Sequence, residues 1–258
     1  MASDYSTTNY SSPFLSQVII RMDFLEFIPS EILFEESRIV NIRQVFSQMT
    51  MRQIIRFNDV NVLFRGALSQ TQSSSREGFQ QSFSDQSGNK LTISNKYLIL
   101  EINRYVSYED AREKLNASLM AVIGDRAIHV SRTGIRYINL YESNRIKITK
   151  KMFNAEVSAL VNPSLSDEKD GLCCIRSMCM NEYRFSDMRL NFRYGMFNPQ
   201  YPNSMRDASF ALDYDCYSDN LLNGLGSVLE HVDAGHDAIQ RLFESTITDS
   251  LREKMRDE

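Results

Sequence analysis

Apolar and polar residues along the chain fall into two periods, and the switches between them outline the elements. YLILEINRY (97–105) alternates most regularly: Leu98, Leu100 and Ile102 fall on one side, and Ile99, Glu101 and Asn103 on the other. A period of two marks a half-buried strand. VIIRMDFLEF (18–27) predicts an earlier strand, ended by Pro29, and KLTIS (90–94) a short one. From Ile39 the apolar residues move to helical spacing, with Ile42, Val45, Phe46 and Met49 following. IIRFNDVNVLFRG (54–66) reads as two β-rich pieces about a turn at Asn58-Asp59. The polar stretch SQTQSSSRE (69–77) reads as a flexible loop.

SYED (107–110) has the S-x-x-D form of a helix start, in which the serine oxygen takes an orphan backbone N–H. Ala111, Leu115, Leu119, Val122 and Ile123 then make an inward stripe, and Gly124 is a natural end. A strand is expected over about 127–141, a short helix over 149–161, and a hairpin over 172–197 that turns at Ser186-Asp187. That hairpin would place Ile175, Cys179 and Tyr183 with Leu190, Phe192 and Tyr194, leaving Arg176, Glu182, Arg184, Arg189, Asn191 and Arg193 opposite. FALDYDCY (210–217) is an alternating strand that carries Asp213 and Asp215 on one face. From Asn220 a long helical stripe runs through Leu225, Val228, Leu229, Val232, Ile239, Leu242 and Phe243, with Gly235 interrupting it. TITD (246–249) reads as a second cap ahead of a final helix.

These elements predict a flexible arm over 1–11 and a single α+β domain over 12–258. The expected architecture is a large, mainly antiparallel sheet with helices packed on one face and a long C-terminal helix. Length supports this, since 258 residues bury a core without staples. A net charge of −4 argues against a surface that is phosphate-binding throughout, though not against a local basic patch. No window reaches the apolar length of a membrane span, and the polar start lacks the features of a signal peptide. Cys173, Cys174, Cys179 and Cys216 do not form a disulfide pattern, so the expected location is the cytoplasm.

The residues with chemical promise sit mostly on strands. Arg132, Gly134 and Arg136 in SRTGIRYINLYE share a face unless Gly134 is a bulge. Two guanidiniums about a glycine suit an anion. The alternative is ion pairing with Glu101, Asp213 or Asp215 on neighbouring strands. Asp213 and Asp215 with Glu182 carry the oxygens of a divalent-cation site, or else pair with Arg184, Arg189 or Arg193. His231 and His236 are five apart and do not share a helix face; His236 is expected at the surface, ion-paired with Asp233 or Asp237. His129 is expected to be a satisfied sheet residue, and the cysteines to be small buried hydrophobes. Phosphate-loop, dinucleotide, nucleophile-elbow and zinc-protease motifs are missing. Accordingly no catalytic residue, no metal ligand and no cofactor is assigned.

Several stretches together resemble one family: SPFLSQVIIRMDF, LTISNKYLILEINRYVSYEDAREKL, RTGIRYIN, ALDYDCY and HDAIQRLFESTITDSLREKM. They are similar to a sporadically distributed bacterial and archaeal family of unknown function and about this length, over roughly residues 12 to 256. Its most specific piece is R-x-G-x-R-Y-[IV]-N. The chain departs from the family where SFSDQSGN stands in place of a shorter S-x-D-G turn, and in having no Trp. The resemblance implies a prokaryotic, cytoplasmic protein, and it binds Arg132, Gly134, Arg136, Tyr137 and Asn139 into one candidate ligand-binding unit. No activity comes with it.

Three functions follow as expectations. The first is a non-enzymatic binding or assembly module, forming a homo-oligomer or meeting a protein partner through the C-terminal helix. The second is a nucleic-acid or phosphate-ligand binder using Arg132 and Arg136, with Lys147, Lys150 and Lys151, or the arginine-lined hairpin. Nucleic acid is not favoured, and no membrane is expected. The third is a metal-dependent hydrolase using Asp213, Asp215 and Glu182.

Overall fold

The computed structural model describes residues 10–11, 13–45, 49–65, 70–124, 126–127, 129–142, 145–161, 174–198, 200–203 and 209–256. The strands are β1 (Leu15–Phe24), β2 (Met51–Arg65), β3 (Gln70–Ser84), β4 (Lys90–Ser94), β5 (Tyr97–Ile102), β6 (His129–Glu142), β7 (Ser177–Phe185), β8 (Met188–Phe197), β9 (Ser209–Ser218) and β10 (Leu222–Asn223). The helices are α1 (Ser30–Leu33), α2 (Glu36–Val45), α3 (Tyr108–Ile123), α4 (Ala155–Ser158), α5 (Gly224–Thr246) and α6 (Asp249–Arg256). The strands form one ten-stranded sheet in the order β2-β3-β4-β5-β1-β6-β9-β8-β7, with β10 joined to β6. Every pairing is antiparallel, so the expected α+β class and sheet type hold.

β1 enters between β5 and β6 and pairs with both. β5 and β6 are therefore parallel but not neighbours, and α3 connects them as a split β-α-β unit. Ser107 caps α3 by accepting from the Asp110 N–H at 3.2 Å, and Gly124 closes it at φ 63°. Ala111, Leu115, Leu119, Val122 and Ile123 are all buried, as the stripe predicts.

α5 runs unbroken through Gly235 and lies across β6 and β9. A Cβ on Gly235 would stand 2.9 Å from Ile135 Cγ2 and 3.4 Å from Met188 Cε, so the missing side chain lets helix and sheet approach closely. Val228, Leu229, Val232 and Ile239 are buried there. Of the two surfaces this stripe could cover, the sheet or another protomer, it covers the chain's own sheet.

Five local expectations change. The stretch 70–77 is strand rather than loop, and β2 passes Asn58-Asp59 without turning, because the two polar-tipped runs pair with each other from Met51 opposite Ser84 to Arg65 opposite Gln70. Cross-strand pairing gives that polar run hydrogen bonds that it could not find alone. The 149–161 helix is a 3₁₀ turn at Lys150–Met152 followed by the short α4, which Asn154 caps at the Val157 N–H. Thr246 still belongs to α5, its hydroxyl donating to the Leu242 carbonyl, so α6 begins after Thr248 rather than at a Thr246 cap. Cys216 is buried as expected, but Cys174 and Cys179 are only half-buried, and Cys173 lies outside the described residues. The expected arm over 1–11 lies almost wholly outside them too. The 172–197 hairpin turns where expected, with Ser186 at φ 50°, and Tyr183 faces Leu190 across it.

Candidate functional site

β6 carries the chain's most specific motif, and the sheet divides that motif. Pairing jumps from Asp23 opposite Arg132 to Phe24 opposite Val130, so the extra residue is Ser131, not Gly134. Beyond it the strand alternates regularly. Thr133, Ile135, Tyr137, Asn139 and Tyr141 are buried under the helices, while Arg132, Gly134 and Arg136 are half-buried on the opposite face. The five-residue unit is therefore two sets of groups on two sides of one strand.

On the uncovered face, Arg136 grips Asp213 with both ends of its guanidinium, Nε and Nη2 each 2.7 Å from a carboxylate oxygen. Arg193 reaches the same carboxylate at 3.1 Å and Asp215 at 3.6 Å. Arg132 places its guanidinium carbon over the Tyr217 ring, 4.0 Å from the centroid, and donates to Asp219 at 2.7 Å, a partner not foreseen. Gly134 makes room for this stack, since a Cβ would sit 3.1 Å from that of Tyr217. A shallow hollow of about 670 Å³ lies here, and its four lining cations are all paired: Arg21 to Asp23, Lys90 to Glu101, Arg136 to Asp213 and Arg132 to Asp219. Lys150 and Lys151 do not join them. Their turn is bound to α6 on the helix side, where the Thr248 hydroxyl donates to the Lys151 carbonyl. Among the described residues no cluster of three His, Cys, Asp or Glu side chains stands close enough to hold a metal.

The other face holds a cavity of about 260 Å³ between sheet and helices. β6 supplies Tyr137 and Asn139, β9 supplies Tyr214, and the entry to α3 supplies Tyr105, Tyr108 and Glu109. α5 closes it with His236, Gln240 and Phe243, and Tyr10 and Pro13 pass over one end. Tyr10 is tied down by donating to Glu244 at 2.6 Å, and Arg252 holds the second oxygen of that buried carboxylate at 2.9 Å. Asn139 is only 6% exposed and lines the cavity, yet no described residue hydrogen-bonds its side-chain amide. In the same wall the Tyr214 hydroxyl is fully buried and has no hydrogen-bond partner among the described residues, a state that costs on the order of 1–3 kcal/mol.

His236 departs furthest from its expected place. It is buried, 7% exposed, with its ring stacked on Tyr108 at 3.7 Å and 4°. Nδ1 stands 2.9 Å from the Tyr137 hydroxyl. Asp233, its expected partner, instead accepts from Tyr108 at 2.5 Å and from Arg112 at 2.7 and 3.0 Å. The spacing of α5 does contain the signal, because His236 follows Val232 by four and precedes Ile239 by three on the buried stripe. Burial holds its pKa below the usual value, over the opposing pull of Asp237, Glu109 and Asp233, so the ring is neutral. Burial also raises the tyrosines, Tyr105 to about 12 and Tyr137 well above its usual value, so the phenols stay protonated. The remaining histidines are paired: His129 with Glu26 at 2.6 Å, as expected of a satisfied sheet residue, and His231 with Asp187 at 3.1 Å.

Compared with family models, curated proteins and solved structures, the chain matches none.

Proposed function

We propose that this protein is a non-enzymatic binding module whose ligand occupies the cavity under α5. The observation that carries this is unfinished polarity in a tyrosine-walled space: the Asn139 amide lines it with no hydrogen-bond partner among the described residues, and the Tyr214 hydroxyl in the same wall is buried without one. Rings supply apolar contact with few rotatable bonds, and one amide supplies orientation. The two other readings have weaker support. The arginines that would hold phosphate, and the aspartates that would hold a metal, are engaged with one another. A cytoplasmic, prokaryotic setting rests on the family resemblance and on a cysteine spacing without a disulfide pattern. Among the described residues no helix is long and apolar enough to cross a membrane.

A ligand-observed NMR screen of small fragments tests the reading. Hits should compete for a single site and vanish in Asn139→Phe, which fills the cavity, while the variant still unfolds cooperatively. Hits that persist in the filled variant, or an empty screen, overturn it.

A further inference from the structure

Resting on that reading, we propose that the cavity is an aromatic cage for a small organic ammonium ion. Charge, ring geometry and the free amide point the same way. Among the described residues the lining contains no lysine or arginine, Arg256 over the Tyr10 ring at 6.0 Å not being part of it, and the carboxylate of Glu109 lies at the exposed rim. Glu109 is anionic, its carboxyl held below the usual range by its own backbone N–H and by Ser107. The positive amino end of α3 is already answered by the Ser107 cap and by the acidic residues of the first turn. An anion would find no counter-charge in this wall, whereas a cation finds ring faces and a carboxylate.

The rings decide between a cation and a flat neutral heterocycle. A flat ligand needs a slot between parallel faces. The parallel pair in the wall, Tyr108 with His236, is closed on itself at 3.7 Å and leaves no slot between its faces. Tyr137 is tilted 41° to His236, and three other contacting wall pairs meet steeply: Tyr105 with Tyr137 at 78°, Tyr10 with Phe243 at 71°, and Tyr214 with Phe243 at 81°. Walls that meet near right angles make the corners of a box, and a box presents ring faces from several directions to a round charge. The negative face of each ring attracts such a charge, with most effect where water is excluded. Within the box the Asn139 oxygen is free to accept from an ammonium N–H, or to turn its dipole toward a quaternary centre. The volume of about 260 Å³ leaves room for a trimethylammonium head and a short tail. The same head occurs in free choline-like molecules and on methylated lysine side chains.

The protein's own fluorescence reads occupancy. It has twelve tyrosines and no tryptophan, and five of the tyrosines line the cavity. The probes are choline, its neutral carbon isostere 3,3-dimethylbutanol, and a short peptide bearing trimethyl-lysine. Choline should bind about tenfold more tightly than the isostere. Glu109→Gln should narrow that ratio several-fold without changing affinity for the isostere. Tyr105→Leu should weaken choline more than the isostere. A peptide that binds better than choline upholds the cage and assigns it to a protein-borne cation; the reverse order upholds it for a free one. Equal binding of choline and isostere overturns the cage and leaves the cavity reading standing. If none of these probes binds while unrelated fragments still compete for the site, the cage likewise falls alone. If fragments fail too, the cavity reading falls with it.

Discussion

The two faces of β6 are made from alternating residues of one segment, yet they solve opposite problems. On the uncovered face, charge is satisfied inside the protein. Asp213 receives two arginines, and Arg132 has both a ring and a carboxylate. On the covered face, polarity is left unfinished among the described residues at Asn139 and at the buried Tyr214 hydroxyl, within a wall of protonated phenols. A face with its partners already in place favours rigidity, and one with a buried open valence favours a ligand. Charge density points to the uncovered face, and unfinished polarity to the covered one.

The largest expected effect probes how closely α5 must approach. Gly235→Leu drives a side chain into Ile135 and Met188 and should cost about 3 kcal/mol in urea unfolding. A neutral result would show that the helix can lift. Next, Arg136→Ala leaves the nearly buried Asp213 to Arg193 alone. Allowing for the guanidinium's partial exposure, the loss should be on the order of 1–2 kcal/mol. Arg193→Ala should cost less, because it leaves the two-pronged Arg136 pair intact; equal losses would contradict that ranking.

pH sharpens the contrast between faces. His236 has a folded pKa below its unfolded value near 6.5, so the unfolded chain binds more protons in that window. Stability is full above 6.5 and falls as pH drops toward the folded pKa, by at most about 1.4 kcal/mol per pH unit. Unfolding curves at pH 7.5 and 5.5 should show this loss, and His236→Gln should remove it. Asn139→Leu replaces an amide that lines the cavity without a partner among the described residues, and should leave the stability of the ligand-free protein within about 0.5 kcal/mol while abolishing fragment binding. A destabilised variant would mean that the amide is satisfied internally. Last, Arg132→Ala, at an exposed pair, should change stability by less than about 1 kcal/mol.

Much of the architecture was legible because periodicity reports burial directly. β5, the Ser107 cap with α3, and the 172–197 hairpin turn are where the alternation and the cap chemistry put them. The long β2-β3 ribbon was not legible, since its polar side chains carry a turn signal and only pairing with each other makes them strand. The site was half legible. All five motif residues were singled out as one unit, and Arg136 paired with Asp213 as the ion-pair alternative allowed. Tyr137 and Asn139 turned out to face a different space from the arginines, and His236 joined them from about a hundred residues away.

By itself, then, the sequence determined which residues alternate, where helices start, and that β6 is chemically unusual, because these properties depend on neighbours in the chain. Only the tertiary structure decided which face meets water, which carboxylate each arginine finds, and that Asn139 lines a cavity with no partner among the described residues. Those outcomes depend on strand order and helix placement, and both arise from contacts between distant segments whose energies no local pattern encodes.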